Sequence, residues 1–478
     1  MSEQYLIGID VGTTGTKAIL FSKEGACLKS AYQGYPLSTP QVGRVEQDPE
    51  AWWQAVGKTV REVSNGYADK VCALSLSTQG GTMVCADKKG NPLTPAFVWN
   101  DSRCNKEAEA FASQFGADAM YQKTGWALFA GMPAMQIRWV KENLPDVFKQ
   151  TALFLTVPDF LSLRMTGKAA VDYSNAGINQ LIDVREGRYD KALLDFAGID
   201  EGRLPALVPS GAAIGKLTEE AAAFLGLTTD ALLISGAHDQ YAVALGAGAT
   251  RPGDILIGSG TAWVVTAIEE KPDFSGLSQS RSAINGLWGS LCSLSHGGVC
   301  LDWLRKNIVG TQQDPLDYET LNREVAQRKA AEEGLFFFPF GGKQNKARFE
   351  GLDLSHDRFH LARAVMEGVV FQILQMLERF PSQPGEAGLL LAGGASKSPV
   401  WSKLLSDISG LPVRIPQMPD LACVGAAIMA GFGAGLYSSP EEGHKRLCVP
   451  EQTIYPDPEA TKTYAPLFAQ YKEHLTRY

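Results

Sequence analysis

The sequence has no excess of positive charge and no run of basic residues. Its 478 residues include 44 Lys and Arg against 52 Asp and Glu, which gives a formal net charge of −8. A protein that binds nucleic acid without sequence preference needs clustered cations to displace counterions from the phosphates. The composition therefore argues against this class, and we expect no nucleic acid among the partners.

Paired cysteines and membrane-spanning segments are also missing from the sequence. None of the 8 cysteines forms a C-x-x-C pair, so reduced thiols are expected instead of a zinc or redox site. The first ten residues lack the basic and apolar regions of a signal peptide. The uncharged stretch 421–437 consists largely of Gly and Ala and is read as an internal helix. We expect a cytoplasmic protein without membrane contact.

Glycine, by contrast, is abundant, and its placement points to anion binding. The 49 glycines are about 10% of the chain, against about 7% in average proteins. Small-residue turns at Gly12–Gly15, Gly258–Thr261 and Gly393–Ser396 would let backbone N–H groups approach an anion closely. The P-loop pattern G-x-x-x-x-G-K-[ST] is not present. Each turn could be an ordinary one, but three together favour a nucleotide, and Lys17 could contact a phosphate as a point charge.

Alternating strand and helix patterns predict an α/β fold of two or three domains. The opening segment 5–21 reads as a β-hairpin, and 253–266 repeats the same design. Helices are predicted at 49–63 after an Asp48 N-cap, near 298–306, 360–380 and 399–409, and at 458–478. We place the domain boundary within 210–236, which gives domains 1–236 and 237–478.

Two aspartates end apolar strands and are candidates for chemistry. Asp10 precedes the first turn, where a carboxylate either caps the turn or holds a metal ion against phosphates. Asp239 follows an apolar strand and suits a general base that accepts a hydroxyl proton. The helix predicted after it, 241–247, would direct its positive end toward this carboxylate. His238 is an alternative base, although neighbouring strand residues face opposite sides.

Other polar side chains cluster at strand ends in the first half of the chain. They belong to the segments Thr78–Gly81 and Trp99–Arg103. Ligands of open α/β sheets bind at such strand ends. The alternatives are core packing for Trp99 and a surface ion pair for Arg103.

Taken in order, these segments resemble the FGGY family of carbohydrate kinases over essentially the whole chain. The most specific match is Ala347–Leu352 followed by His360–Glu367. The segment Gly131–Asn143 fits less well, because Gln136 stands where the family usually has Lys. The other matching segments are Ile9–Lys17, Glu46–Trp53, Trp99–Arg103, Gly236–Gln240, Gly258–Thr261 and Gly393–Ser396.

The resemblance implies two ribonuclease H-like domains of the actin-like ATPase superfamily with a central cleft, and ATP and Mg²⁺ as cofactors. Asp239 would be the catalytic base and Asp10 would lie near Mg²⁺. The residues implied to bind the nucleotide are Gly12, Thr13, Thr14, Lys17, Gly260, Thr261, Gly298, Asp302, Gly393, Gly394, Ala395 and Ser398. Those implied to bind the substrate are Gln79, Gly80, Gly81, Trp99, Asp101, Arg103, Asp239 and Gln240.

Departures from the family pattern concern the substrate. Gly80 and Gly81 stand where xylulose kinases carry Met-His and glycerol kinases Arg-Glu, and Gly131 matches a tyrosine of glycerol kinases. The segment Gly341–Lys343 replaces the family's Gly-Glu-Arg. Glycines in place of large side chains would leave room for a larger or differently shaped substrate.

We therefore expect ATP-dependent phosphorylation of a hydroxyl of a small sugar, polyol or sugar acid. A pentulose such as xylulose is the first candidate, and gluconate or another polyol or ketose is the alternative. Outside the family, the alternatives are an actin-like ATPase and a non-catalytic sugar sensor. A homodimer is a possible assembly.

Overall fold

The computed structural model describes residues 3–331, 334–340, 346–418, 420–448 and 451–475. The chain folds as two units. The first comprises Met1–Thr250, Glu270–Ser290 and Met418–Val449, and the second comprises Arg251–Glu269, Leu291–Gln417 and Pro450–Tyr478. The segment Gly341–Lys343, noted above for its departure from the family pattern, lies outside the described residues.

This division differs from the predicted boundary at 236/237. Asp239, expected at the start of the second domain, lies in the first unit. The reason is packing, because Tyr241 and Leu245 on the helix that Asp239 begins share a hydrophobic cluster with Cys423 and Val424. The late segment Met418–Val449 thus returns to the first unit.

The strands confirm the expected hairpins and sheet-forming runs. They are β1 (Tyr5–Val11), β2 (Gly15–Ser22), β3 (Cys27–Gly34), β4 (Glu46–Gln47), β5 (Val71–Thr78), β6 (Met83–Ala86), β7 (Ala96–Phe97), β8 (Leu153–Thr156), β9 (Ala170–Asp172), β10 (Ile182–Asp183), β11 (Arg188–Tyr189), β12 (Ala206–Val208), β13 (Ala213–Lys216), β14 (Leu232–His238), β15 (Ile255–Ser259), β16 (Trp263–Glu269), β17 (Ser278–Arg281), β18 (Trp288–Leu294), β19 (Phe336–Phe338), β20 (Arg348–Glu350), β21 (Leu389–Gly393), β22 (Val413–Pro416) and β23 (Glu451–Ile454).

The helices agree with the sequence signals at their starts. They are α1 (Pro49–Ser64), α2 (Asn105–Phe115), α3 (Ala117–Thr124), α4 (Pro133–Asn143), α5 (Pro145–Gln150), α6 (Val157–Thr166), α7 (Tyr173–Ile178), α8 (Lys191–Ala197), α9 (Glu219–Leu225), α10 (Asp239–Ala247), α11 (Gly298–Leu304), α12 (Tyr318–Ala326), α13 (Arg358–Leu377), α14 (Pro399–Ser409), α15 (Leu421–Gly433), α16 (Pro440–Leu447) and α17 (Pro458–Leu475). Asp48 caps α1 as predicted, since its carboxylate accepts from the Glu50 N–H at 3.0 Å. Among the described residues, no helix combines the length and the apolar character that a membrane span requires.

The main sheet of the first unit brings several candidate residues to one edge. Its strand order is β13-β14-β5-β1-β2-β3. The antiparallel pair β1–β2 places Asp10 opposite Lys17, and the parallel pair β1–β5 places Asp10 beside Ser77. Strand β14 runs parallel to β5, with His238 beside Thr78. Because parallel strands end at the same edge, the first turn and Asp239 belong to one region of this unit.

Helices cover both faces of this sheet. Helix α1 contributes Trp52 and Val56 to one hydrophobic cluster, and α15 contributes Cys423 and Val424 to another. The close approach of α15 requires Gly8 in β1, because a Cβ there would lie 1.8 Å from the Cys423 carbonyl oxygen. Of residues 421–437, read above as an internal helix, Leu421–Gly433 form α15, and its buried part is a tightly packed core element.

The second unit has its own sheet, in which neighbouring strands follow the order β16-β15-β21-β22-β23. The β15–β16 hairpin pairs Ser259 with Trp263, and the parallel pair β15–β21 places Ser259 beside Gly393. The turns that follow these strands, at 260–262 and 394–398, therefore emerge at neighbouring positions. Helix α13 packs on β19 and α14 packs on α17.

Candidate active site

In the first unit, the turn between β1 and β2 is fixed by two glutamines. The backbone closes it with a Gly12 N–H to Gly15 carbonyl bond of 3.0 Å. Gln47 donates to the Thr13 carbonyl at 2.5 Å, and Gln79 donates to the Gly12 carbonyl at 3.3 Å. The predicted phosphate-binding turn is thus held in one conformation by side chains from distant segments.

Asp10 lies at the base of this turn among other charged groups. One of its carboxylate oxygens accepts a hydrogen bond from the Ser77 hydroxyl at 2.7 Å. Burial raises the pKa of Asp10 to about 7, the Ser77 bond opposes this rise, and the carboxylates of Asp420 and Asp239 add to it. Lys17 lowers this pKa and forms an ion pair of 3.1 Å with Asp420. The structure therefore brings predicted phosphate, metal and base residues into one electrostatic cluster.

Asp239 is the first residue of α10, and Gln240 follows it; both are partly exposed. An acidic side chain at a helix start interacts favourably with the positive end of the helix dipole. Oxygen Oδ1 of Asp239 is buried and has no hydrogen-bond partner within the described part of the chain. It lies 3.4 Å from Nδ1 of His238. A carboxylate with a free lone pair in this position can accept a proton from a bound hydroxyl.

The predicted substrate residues Trp99, Asp101 and Arg103 divide into two groups. Trp99 is 41% exposed and donates from Nε1 to the Thr13 hydroxyl at 3.3 Å, so the core-packing alternative is wrong. The side chains of Asp101 and Arg103 are buried and paired, with Arg103 Nη2 at 2.7 Å from Asp101 and 2.6 Å from Glu46. The surface ion pair considered for Arg103 is therefore wrong as well.

The three glycines that replace large side chains in relatives do not leave empty space. A Cβ at Gly80 would lie 2.5 Å from Cδ2 of His238, and one at Gly81 would lie 2.8 Å from Sδ of Met132. A Cβ at Gly131 would lie 1.9 Å from the Trp99 carbonyl oxygen. The expectation that these glycines make room for a larger substrate is thus corrected at all three positions, because neighbouring atoms fill the space.

In the second unit, a cavity of about 500 Å³ collects the predicted nucleotide residues. Those that line it are Gly260, Thr261, Gly298, Asp302, Gly394, Ala395 and Ser398. Gly393 does not line it, since it pairs with Ser259 at the end of β21. Ser259, which belongs to the predicted turn Gly258–Thr261, also lines the cavity. Lining residues that sequence reasoning missed are Trp263, Val299, Leu301, Tyr318, Asn322, Met366, Lys397 and Trp401. The aromatic ones carry no local motif, so only the strand-end position of Trp263 could have suggested its role.

Hydrogen bonds and a pair of tilted tryptophan rings shape this cavity. Ser398 caps α14 by accepting from the Trp401 N–H at 3.1 Å, and its hydroxyl donates to Asn322 at 2.7 Å. The rings of Trp263 and Trp401 lie 5.0 Å apart. Burial alone would raise the pKa of Asp302, but hydrogen bonds from basic side chains on the same face lower it below its usual value. The cavity thus combines an apolar wall with small-residue turns and hydroxyl groups, which suits a nucleoside phosphate.

Comparisons with known proteins agree with this arrangement. The model of the N-terminal domain of the FGGY family of carbohydrate kinases matches residues 5–246, and that of the C-terminal domain matches residues 257–434. The chain therefore belongs to the FGGY family of carbohydrate kinases. It is accordingly a sugar phosphotransferase with a two-domain α/β fold, acting on a small-molecule substrate.

Three relatives show the range of similarity. The gluconokinase of Bacillus subtilis (strain 168) is 27% identical over 91% of this chain and 88% of its own length. The L-xylulose/3-keto-L-gulonate kinase of Escherichia coli (strain K12) is 29% identical over 99% of this chain and 96% of its own. The crystal structure of xylulose kinase from Rhodospirillum rubrum superposes with a TM-score of 0.92, at 27% identity and 99% coverage of both chains.

Proposed function

We propose that this protein transfers the γ-phosphoryl group of ATP to a hydroxyl of a small neutral sugar. The observation that carries the proposal is the position of Asp239. Its carboxylate has an unpartnered oxygen at the start of α10, in the same electrostatic cluster as Asp10 and Lys17. A base, a cation and a small-residue turn in one unit are the components that phosphoryl transfer requires.

The cavity of the second unit is the proposed binding site for the adenosine and α-phosphate. The hydroxyl-rich turn at Ser398 and the ring of Trp401 support this placement. The remaining proposed nucleotide contacts in this unit are Gly260, Thr261, Gly298, Asp302, Gly393, Gly394 and Ala395. Gly393 does not line the cavity itself. As the last residue of β21, it would set the backbone conformation of the turn that does.

The turn of the first unit is the proposed binding site for the transferred phosphoryl group. The backbone N–H groups of Thr13 and Thr14 and the Thr14 hydroxyl would serve as donors, and Lys17 would add a positive charge. Gly12 would shape the turn, because its own N–H is bonded to the Gly15 carbonyl. The glutamines that hold the turn keep these donors in place before the phosphate binds, which lowers the ordering cost of binding.

The charges around Asp10 fit a bound Mg²⁺. The carboxylates of Asp239 and Asp420 raise the pKa of Asp10, and Lys17 only partly opposes this effect. A divalent cation would offset the repulsion between these carboxylates. Across the described ranges, no three acidic, histidine or cysteine side chains are placed to hold a metal by themselves. This suits Mg²⁺, which takes one or two carboxylates and completes its shell with phosphate oxygens and water. Bound there, it would neutralise charge on the phosphate oxygens.

The proposed chemical step uses the other carboxylate oxygen of Asp239, Oδ2, because the buried Oδ1 faces His238. The sugar hydroxyl gives its proton to this carboxylate while its oxygen forms the new bond to the γ-phosphorus. The bond between that phosphorus and the bridging oxygen of ATP breaks, and ADP leaves with the electron pair. Lys17 offsets negative charge that develops on the phosphoryl oxygens. Gln240, beside Asp239 on the same helix turn, would orient the sugar.

A neutral pentulose such as xylulose is the proposed substrate. The cation among the predicted sugar-binding residues, Arg103, is already neutralised by Asp101 and Glu46 in a buried cluster. A sugar carboxylate would therefore gain little from it. Trp99, which is exposed, would contact the sugar. Gln79, Gly80 and Gly81 are buried, so they would support this part of the site from behind. Gluconate is the second candidate, because a gluconokinase is among the similar proteins.

An ATP-consumption assay over ketoses, polyols and aldonic acids tests this proposal. We expect the strongest stimulation by a pentulose, with ADP and sugar phosphate formed in equal amounts. Preference for gluconate would overturn the assignment of a neutral substrate. No stimulation by any sugar would contradict the proposed transfer itself.

The cytoplasm is the proposed location, since ATP and small sugars meet there. The homodimer stays a prediction, which light scattering on the purified protein would test.

A further inference from the structure

The ring of His238 is held in place by contacts with residues on several sides. Its side chain is only 8% exposed. The ring packs against Trp126 at 6.3 Å and Tyr241 at 5.9 Å between centroids. Both neighbours are anchored, because Trp126 donates to the Ser280 hydroxyl at 2.8 Å and the Tyr241 hydroxyl donates to a backbone carbonyl at 3.2 Å. The imidazole therefore has little freedom to move away from Asp239.

Gly80 lies against another side of the His238 ring. A Cβ at position 80 would lie 2.5 Å from Cδ2 and 2.8 Å from Nε2 of His238, closer than real Cβ contacts allow. The backbone of Gly80 does not adopt a left-handed conformation, so the absent side chain is needed for space alone. Since Trp126 and Tyr241 contact the imidazole from other sides, a methyl group here would displace it from its position beside Asp239.

The polar atoms of the two residues face each other without other partners. Nδ1 of His238 and Oδ1 of Asp239 are both buried, and neither has a hydrogen-bond partner in the described part of the chain. They lie 3.4 Å apart. The His238 backbone N–H is meanwhile held by the Ser174 hydroxyl at 2.9 Å. Buried polar atoms of this kind are costly unless paired, and a small turn of the carboxylate would pair them.

We propose that His238 is the positioning residue for Asp239. Its ring packs against Gly80, so that its Nδ1–H can bond Oδ1 of Asp239 and hold the other carboxylate oxygen toward the sugar hydroxyl. This inference rests on the proposed function, because it concerns the same transfer step. His238 was considered above as an alternative base. Its role is indirect, since its ring nitrogen faces the Asp239 carboxylate and Asp239 accepts the substrate proton.

Three variants and one control test the proposal. His238→Ala removes the donor, His238→Asn keeps a short N–H donor on the same backbone position, and Gly80→Ala displaces the ring while keeping both residues. Gly385→Ala is the control, because a Cβ there meets no atom within 4 Å. For each protein we measure kcat, KM for sugar and for ATP, sugar binding by calorimetry and the thermal midpoint.

We expect His238→Ala and Gly80→Ala to lower kcat about 10–100-fold, as a misplaced catalytic group does, while sugar and ATP affinities change little. His238→Asn should recover most of the lost kcat, and Gly385→Ala should match the wild type. If His238→Ala does not fold, Gly80→Ala and His238→Asn carry the same comparison.

Several results would overturn the proposal. A wild-type kcat in His238→Ala would show that His238 does not position Asp239. A wild-type kcat in Gly80→Ala would show that the position of the ring does not depend on the space at Gly80. A rise in sugar KM without loss of kcat shows that the ring only binds substrate. If His238→Asn is as inactive as Asp239→Asn, His238 would be the base that accepts the substrate proton. Absence of sugar phosphorylation by the wild type would instead reject the proposed function, so the two failures are distinguishable.

Discussion

The side chain of Gln79 accepts a hydrogen bond from the Thr13 hydroxyl at 3.1 Å, although 66 residues separate them in sequence. Its amide nitrogen also donates to the Gly12 carbonyl and, at 3.1 Å, to Gln47. Gln79 is only 2% exposed. The amide predicted to contact sugar thus has its hydrogen bonds committed to the turn proposed to bind phosphate.

Replacing Gln79 should therefore impair nucleotide use more than sugar use. Gln79→Leu leaves the turn without these bonds, and the loss of about 1–2 kcal/mol should raise KM for ATP about 5–30-fold. Initial rates at varied ATP and varied sugar provide the measurement. Thr82→Val is the matched control, because Thr82 also donates to Gln79 but does not touch the turn. An increase confined to the KM for sugar would show that Gln79 acts on substrate directly.

The buried pair of Asp101 and Arg103 should matter for stability. Their side chains are 0% and 5% exposed, so Arg103→Met leaves the buried Asp101 carboxylate without its cation. We expect the free energy of unfolding of the first unit to fall by about 3–5 kcal/mol. Denaturant unfolding measures it, with Lys191→Met as control, because the pair of Lys191 with Asp195 is exposed. Equal small effects for the two variants would contradict the buried-pair interpretation.

The serine that caps α14 should link helix stability to nucleotide binding. Ser398→Ala removes the cap and the bond to Asn322, at a cost of about 0.5–2 kcal/mol. ADP binding by calorimetry should weaken in parallel. Ser439→Ala is the control, since Ser439 caps α16 in the first unit. Unchanged ADP affinity in Ser398→Ala would argue against the cavity as the nucleotide site.

The raised pKa of Asp10 makes a prediction about the pH dependence of stability. With a folded pKa of about 7 against 3.8 ordinarily, the folded protein retains a proton that the unfolded chain releases. The free energy of unfolding should therefore decline as pH rises from about 4 to 7 and level off above that. This follows because the ionised carboxylate is buried near Asp420 and Asp239.

Asp10→Asn should remove the Asp10 contribution to this decline, whereas Asp159, whose pKa is also raised to about 7 by burial, should keep its own. In EDTA the thermal midpoint of this variant should exceed that of the wild type at pH 8, by about 2–4 °C for each kcal/mol of relieved repulsion, and match it near pH 4. Asp146→Asn is the control, because that side chain is 87% exposed. A midpoint difference that does not change with pH would show that Asp10 is not the group responsible.

Local patterns in the sequence predicted the hairpins and helix starts because their signals lie within a few residues. The Asp48 cap and the Gly/Thr turns are of this kind. The division into units could not be predicted the same way, because 418–449 returns to the first unit through packing of α15 on α10 and β1. Nothing local marks that return.

The candidate site shows the same limit. Its small-residue turns carry motifs, and seven predicted residues line one cavity. The motifs do not show that Glu46 pairs with Arg103, 57 residues away, or that His238 at the end of β14 contacts Gly80. Side chains brought together by strand pairing decide whether a charge is free and whether a glycine leaves space.

The most direct test of the account is turnover by Asp239→Asn. The amide keeps the size of the side chain but cannot accept the hydroxyl proton as the carboxylate does. Calorimetry with ADP and with the preferred sugar should show near wild-type binding, while single-turnover formation of sugar phosphate falls about 100-fold or more. Retained turnover in this variant, with binding intact, would contradict the assignment of Asp239 as the base that accepts the sugar proton.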